Sequence, residues 1–196
     1  STSGASGCSL DPNAAPDEDA PMCDDVVGSW PYYASKIEAE RRARAMAEAS
    51  GVELSSVRPP VMLGPGDHRF RSTGNIIKML RGRLPFLIKG GISYVDIRDV
   101  ASAMVRLMSL DKMRPVYHLP GTACSVEAFF RSVGQVASAP PPKIVLPYYA
   151  AHALAGLTKW GALRAGRDKS PLPDPVVVEM ARHYWGLSSK YAAEEL

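Results

Sequence analysis

Short apolar runs alternate with helix-forming segments along most of the chain. Residues 52–58 contain Val52, Leu54 and Val57 and end at two prolines, and we interpret them as a buried strand. After Asp96, Val100, Met104 and Leu107 recur at i, i+4 and i+7, which is the spacing of one helix face. Strands that alternate with helices predict an α/β fold with a largely parallel sheet.

The longest predicted helix follows Ser29, which we expect to be its N-cap, with Pro31 in the first turn. Residues 38–49 are rich in Ala, Glu, Arg and Met, which favour helices. Gly51 is expected to be the C-terminal cap. Residues 4–28 are rich in Gly, Pro, Asp and Ala without periodicity, so they predict a loop.

The same signals predict the remaining elements. Further strands are expected at residues 92–95, 115–119 and 143–146. Further helices are expected from Ser72 or Thr73 to Arg81, from Asp96, from Ser125, and over most of the chain after residue 147, with a break at residues 167–175.

Composition narrows the class of protein. The chain has 196 residues, 46% of them hydrophobic and 22% charged, which is ordinary for a soluble domain with a hydrophobic core. The net charge is only +3. The basic cluster at residues 41–44 lies among Glu38, Glu40 and Glu48, which predicts a solvated helix face. We therefore expect no nucleic-acid partner.

Cysteine and histidine usage indicates a reducing compartment. The three cysteines, Cys8, Cys23 and Cys124, are odd in number and form no C-x-x-C pair, which argues against a complete disulfide framework. The four histidines lack metal-ligand spacing. The sequence thus predicts a cytoplasmic protein without a metal site.

Residues 144–163 form the most apolar stretch of the chain. They include Pro147, His152 and Lys159, so they do not form a clean span of about 20 apolar residues. A buried or substrate-facing helix is the favoured interpretation, and association with a membrane surface stays open.

Tyr32 and Lys36 lie four residues apart at the start of the longest predicted helix. Residues at this spacing share one helix face. An ammonium beside a phenol favours the phenolate, which suits the phenol to proton transfer at an alcohol or carbonyl oxygen. Tyr33 is the competing phenol, but Ile37 lies four residues after it. Tyr32 is therefore the candidate acid–base group.

Four segments, in order, resemble one enzyme family. Residues 32–36, Tyr-Tyr-Ala-Ser-Lys, resemble the active-site helix of the extended short-chain dehydrogenase/reductases. This is the broad NAD-dependent epimerase/dehydratase family, which includes dihydroflavonol reductase-like and sterol dehydrogenase-like enzymes. Residues 1–4 resemble the strand end with the family's catalytic Ser or Thr. Residues 57–67 resemble the strand and loop beside the nicotinamide, and residues 94–101 resemble a later helix-starting element.

The resemblance implies a role for each matching residue. Ser3 would hydrogen-bond and orient the reacting oxygen, with Thr2 as the alternative if the register shifts by one residue. Tyr32 would be the general acid in reduction and the general base in oxidation, and Lys36 would hold the ribose hydroxyls of NAD or NADP. The expected cofactor contacts come from Tyr32, Lys36, Pro59, Pro60, Val61 and Met62.

The chain also departs from the family pattern. The family's Gly-rich turn, which holds the cofactor pyrophosphate, has no full counterpart, since residues 4–7 are only a fragment of its spacing. We therefore expect the C-terminal part of a longer enzyme, a partial Rossmann fold that is inactive alone. It would be one partial domain, with core portions at about 1–63 and 92–120 and interleaved substrate-capping portions at about 64–91 and 121–196.

The leading functional hypothesis is an NAD(P)-dependent oxidoreductase that interconverts a carbonyl and a secondary alcohol on a small, moderately apolar substrate. Residues 70–77 resemble the reductase-like branches more than the sugar-nucleotide epimerases. A nucleotide-sugar epimerase or dehydratase with bound NAD is the alternative, with Arg71, Arg81 and Arg83 as candidates to bind a diphosphate. A non-catalytic dinucleotide-binding relative is the third hypothesis, and a homodimer is an open expectation.

Overall fold

The chain folds into two units in this computed structural model, which describes residues 1–166 and 172–196. The first unit comprises residues 1–72, 92–123 and 184–196, and the second comprises residues 73–91 and 124–183. The first unit includes residues 64–72, 121–123 and 184–196, which the family resemblance placed in the capping portions. Of the break expected at residues 167–175, residues 167–171 lie outside the described residues.

Single strands or pairs of strands are separated by helices along the described residues. The strands are β1 (Ser56–Arg58), β2 (Val61–Leu63), β3 (Phe86–Ile88), β4 (Gly91–Asp96), β5 (Val116–His118), β6 (Thr122–Ser125) and β7 (Ile144–Leu146). The helices are α1 (Asp24–Val27), α2 (Pro31–Ser50), α3 (Gly74–Leu80), α4 (Ile97–Leu107), α5 (Val126–Ala137), α6 (Tyr148–Arg164), α7 (Pro175–Ala181) and α8 (Lys190–Glu195). A short 3₁₀ helix spans Ser3–Ala5.

The pairings β1–β5, β2–β4 and β3–β7 are parallel, as the alternating pattern predicts. β1 pairs in parallel with β5, and Arg58 lies opposite His118. β2 pairs in parallel with β4 within the order β2-β4-β6, and β3 pairs in parallel with β7. The α/β class with a parallel sheet is therefore confirmed.

Helix α2 differs from its prediction at one end only. It begins at Pro31 with Trp30 as the N-cap residue, so Ser29 is not the cap. At the other end Gly51 adopts a φ of 65°. The N–H of Gly51 donates to the carbonyl of Glu48 at 3.3 Å, and that of Val52 donates to Ala47 at 2.9 Å. These paired bonds form a Schellman motif, which confirms the predicted cap.

The predicted loop at residues 4–28 contains more structure than its composition indicated, because it includes α1 and part of the 3₁₀ helix. A buried carboxylate also fixes it. Glu18 accepts hydrogen bonds from the backbone N–H of His118 at 3.2 Å, of Lys190 at 2.9 Å and of Tyr191 at 3.3 Å. A carboxylate at the start of α8 satisfies N–H groups that lack partners within the helix.

Helix α4 confirms its predicted cap, since the Asp96 side chain accepts from the backbone N–H of Arg98 at 2.8 Å. Its predicted apolar face is only partly buried. Val100 and Leu107 are buried, whereas Met104 is 51% exposed. The i, i+4, i+7 spacing therefore identified the helix correctly but extended its buried face too far.

The second unit has its own small core. Ala151 and Ala155 of α6 pack with Val178 of α7, and Ile88 and Leu146 pack against them. Alanines at these positions let the two helices approach closely. Within the described residues, no helix is both long enough and apolar enough to cross a bilayer.

We expect Gly51→Ala to lower the free energy of unfolding by about 1 kcal/mol, because a Cβ is strained in the left-handed region. Open space surrounds Gly51, so the effect reports backbone conformation alone. Urea unfolding would measure it. Gly156→Ala within α6 is the matched control, since Gly156 also faces open space without a positive φ. A Gly51→Ala protein as stable as the wild type would contradict the assigned motif.

Candidate active site

The first two turns of α2 bring Tyr32 and Lys36 together. The Lys36 Nζ lies 5.7 Å from the centroid of the Tyr32 ring. The Tyr32 side chain is well exposed, with 54% of the residue surface accessible. The i, i+4 spacing therefore places a phenol and an ammonium side by side, with the phenol open to a ligand.

Tyr33 lies in a different environment. Its ring stacks on Trp185 with centroids 5.2 Å apart and planes at 21°. It also contacts the Tyr32 ring edge-to-face at 5.1 Å and the Trp30 ring at 6.0 Å. Burial, with a smaller contribution from Tyr32 and two cysteines, raises the pKa of Tyr33. Tyr33 is thus poorly suited to proton transfer.

Ser3 lies in the 3₁₀ helix that packs against α2. It is 5% exposed, and its N–H donates to the carbonyl of Pro59 at 2.9 Å. The N–H groups of Ser6 and Gly7 donate to the Ser3 carbonyl at 3.0 and 2.8 Å. These bonds fix the backbone of Ser3 beside the end of β1, so the structure brings Ser3 and Pro59 together.

The segment from Pro59 to Met62 presents apolar surface. Pro60 is buried, whereas Val61 and Met62 are each 37% exposed. These last two residues were expected in a loop, but they begin β2 and pair with Tyr94 and Val95 of β4. The pairing of β1 with β5 ends at Pro59 and Pro60, because proline cannot donate a ladder hydrogen bond. Directly after these prolines, β2 pairs with β4.

A buried ion pair joins α2 to β1, and the sequence reasoning missed it. Arg58 donates to Glu40 from Nη2 at 2.6 Å and from Nε at 3.2 Å, while Nη1 donates to the Ser6 hydroxyl. Arg58 is 3% and Glu40 5% exposed. Glu40 was interpreted as part of a solvated charged face. An arginine at the end of a strand that is predicted to be buried is the signal that could have indicated a buried partner.

Opposing effects act on the Glu40 carboxyl. Burial alone raises its pKa, but hydrogen bonds from Arg58 first, and then from Arg44, outweigh burial and leave the pKa below its usual 4.5. The carboxylate is therefore the stable form at neutral pH. The forked geometry supplies the directed hydrogen bonds that a desolvated carboxylate needs.

Arg98 is already engaged within its own helix. Its guanidinium donates to Asp96 from Nε at 2.9 Å, and this contact and the N-cap bond lower the pKa of Asp96 to about 2. Asp96 therefore has a structural role, as expected. Among the described residues, no group of three or more His, Cys, Asp or Glu side chains is placed to hold a metal ion.

The family comparison covers the part of the chain that contains these residues. The model of the NAD dependent epimerase/dehydratase family matches residues 2–119, which is more than half of the chain. That range includes Ser3, α2 and the segment from Pro59 to Met62. The chain therefore belongs to the NAD dependent epimerase/dehydratase family.

Individual relatives agree with this membership. A Synechocystis sp. protein named "Putative dihydroflavonol 4-reductase" is 26% identical over 170 residues, which cover 84% of this chain and 49% of the relative. The crystal structure of gox2253 is 25% identical, with a TM-score of 0.78, over 100% of this chain and 58% of that one.

Two further solved structures share the fold. A nucleoside-diphosphate-sugar epimerase from Pseudomonas aeruginosa has a TM-score of 0.71 at 18% identity, over 93% of this chain and 54% of that one. The Thermus thermophilus UDP-glucose 4-epimerase in complex with NAD has a TM-score of 0.60 at 22% identity. The match covers 75% of this chain and 50% of that one. The chain thus spans about half the length of these relatives.

We expect Glu40→Gln to lower the free energy of unfolding by about 3 kcal/mol, because it leaves the Arg58 guanidinium buried without a counter-charge. Denaturant unfolding would measure the loss. Glu38→Gln is the matched control on the same helix, since Glu38 forms an exposed pair with Arg42. That change should cost less than about 0.5 kcal/mol. Equal effects of the two substitutions would contradict the stabilising role of the buried pair.

The lowered pKa of Glu40 also predicts how this contribution varies with pH. A carboxyl group with a lower pKa in the folded state contributes stability above its unfolded value of about 4.5, and that stability is lost as the pH falls through the folded pKa. The difference in unfolding free energy between wild type and Glu40→Gln should therefore be constant near neutrality and shrink below pH 4.5. Urea unfolding across pH 3–7 would test this, and a difference that grows in acid would contradict it.

Proposed function

We propose that the protein is an NAD(P)-dependent oxidoreductase that interconverts a carbonyl and a secondary alcohol on a small, moderately apolar substrate. One observation carries the proposal: the exposed Tyr32 phenol lies beside the Lys36 ammonium, on a helix that packs against the 3₁₀ helix of Ser3. Family membership supports it, because the matched region includes all three residues. The resemblance to a "dihydroflavonol 4-reductase" supports the reductase direction.

In this proposal each side chain has a defined role. In reduction Tyr32 donates its phenolic proton to the carbonyl oxygen, and in oxidation it accepts the proton of the alcohol. The Ser3 hydroxyl donates a hydrogen bond to the same oxygen and stabilises the negative charge that develops there. Lys36 Nζ lies 5.7 Å from the centroid of the Tyr32 ring, where it can stabilise negative charge that develops on the phenol oxygen.

The residues present fit a nicotinamide cofactor. Pro59 and Pro60 carry no N–H, and the neighbouring Val61 and Met62 side chains are partly exposed, so this segment offers an apolar surface to a flat ring. The Lys36 ammonium can donate hydrogen bonds to ribose hydroxyls. The cofactor, NAD or NADP, would supply or accept the hydride.

A nucleotide-sugar epimerase or dehydratase would use the same phenol and ammonium. Family membership favours this as the second candidate, because the family's description names epimerases and dehydratases. The two candidates differ in what happens to the cofactor, since an epimerase regenerates its NAD in every cycle and a reductase consumes reduced cofactor. A non-catalytic relative would bind the cofactor without turnover.

We expect Tyr32→Phe and Lys36→Met to lower kcat by roughly 100-fold or more without unfolding the protein. The first removes the group that transfers the proton, and the second removes the ammonium beside that group. The assay follows oxidation of NADH and NADPH with ketones, aldehydes and nucleotide sugars, using the protein that the full coding sequence specifies. Tyr149→Phe, which alters a tyrosine that is 81% exposed, is the control.

Near-normal rates in both variants would contradict the assignment of Tyr32 and Lys36. Interconversion of nucleotide sugars without net cofactor oxidation would replace the oxidoreductase with the epimerase. Cofactor binding without any turnover across the panel would favour the non-catalytic relative.

A further inference from the structure

The ring of Tyr33 fills a tight space between two segments of the first unit. A Cβ added to Gly4 would lie only 2.0 Å from Cε1 of Tyr33, so the ring edge rests directly on the Gly4 backbone. One face of the ring stacks on Trp185 at 5.2 Å. Only glycine at position 4 leaves room for this ring, and Gly4 directly follows Ser3.

Trp185 is itself held in place by the loop that follows Ser3. Ser9 and Tyr184 exchange backbone hydrogen bonds, from Ser9 N at 3.0 Å and from Tyr184 N at 2.8 Å. A Cβ on Gly7 would approach the Gly186 carbonyl oxygen to 2.6 Å, so these backbones are in close contact. Trp185 therefore provides a fixed surface against which the Tyr33 ring is pressed.

The same ring contacts one candidate catalytic residue, Tyr32, and the residue that follows the other, Gly4. The neighbouring residue along α2 is Tyr32, whose ring meets that of Tyr33 edge-to-face at 5.1 Å. The ring also contacts the backbone of Gly4, the residue that follows Ser3. We propose that Tyr33 is a positioning residue whose ring sets the separation between the Ser3 hydroxyl and the Tyr32 phenol. This inference rests on the proposed function.

The separation matters because both hydroxyls must reach one substrate oxygen. Each needs a heavy-atom distance of about 2.6–3.2 Å to that oxygen. A misplacement of about 1 Å can cost about 100-fold in rate, even when binding is little changed. Loss of the ring would let the 3₁₀ helix move toward α2, whereas a methyl group on Gly4 would force the two apart.

The experiment compares Tyr33→Leu, Tyr33→Phe and Gly4→Ala in the protein that the full coding sequence specifies. We expect Tyr33→Leu and Gly4→Ala to lower kcat by at least about 10-fold with KM changed less, because geometry and not binding is lost. Tyr33→Phe should keep kcat within about threefold, since it conserves the ring. Gly161→Ala, at a helical glycine surrounded by open space, should leave kcat unchanged.

A second control separates positioning from general stability. Leu107→Ala removes a buried side chain from the cluster with Tyr117 and Ala192, which does not include Tyr33. It should lower the melting temperature while keeping kcat. If Leu107→Ala lowers kcat as much as Tyr33→Leu at equal loss of stability, the positioning role is wrong.

Failure of this inference differs from failure of the proposed function. A folded Tyr33→Leu enzyme with kcat within about threefold of wild type would overturn the inference while Tyr32→Phe stays inactive. If the wild-type protein itself shows no turnover, the proposed function fails. Crystal structures of the wild type and of Gly4→Ala would then test the inference through the distance between Ser3 Oγ and Tyr32 Oη. A longer distance in Gly4→Ala supports the positioning role of Tyr33, and an unchanged distance overturns it.

Discussion

The forked ion pair between Arg58 and Glu40 is the contact on which the candidate site depends. It joins the middle of α2 to the end of β1, and its third donor reaches Ser6, just after the 3₁₀ helix. Three segments that are far apart in sequence thus meet at one guanidinium. Because both charges are buried, a displaced partner would leave an uncompensated charge, which makes the arrangement specific as well as stable.

Close backbone contacts also hold the loop that follows Ser3. The loop after Ser3 packs on residues 184–187 through Gly7 and Gly186, and the Tyr33 ring packs on Gly4. Glu18 fixes the same loop to β5 and α8 through backbone N–H groups. A segment with the composition of a flexible loop is therefore held on several sides. Its order comes from partners outside it and not from its own propensity.

Local signals predicted the regular parts of the fold well. The parallel α/β class followed from alternating segments, and the caps at Gly51, Asp96 and Ser125 followed from residue types that satisfy helix termini. The prediction failed where a segment becomes a strand only because it pairs with a neighbouring strand. β2, β3 and β6 were missed, because three or four residues carry little periodicity, and each becomes a strand only beside its neighbour in the sheet.

The candidate site also combines features that local sequence signals predict with features that depend on tertiary contacts. The sequence by itself determined that Tyr32 and Lys36 share a helix face, because helical geometry fixes which residues four apart are neighbours. It also determined the family, through ordered motifs. Only the tertiary structure decided that Glu40 is buried with Arg58, that Tyr33 stacks on Trp185 and that Glu18 caps α8. These contacts join residues distant along the chain, and their energies depend on burial and on distances that no local pattern encodes.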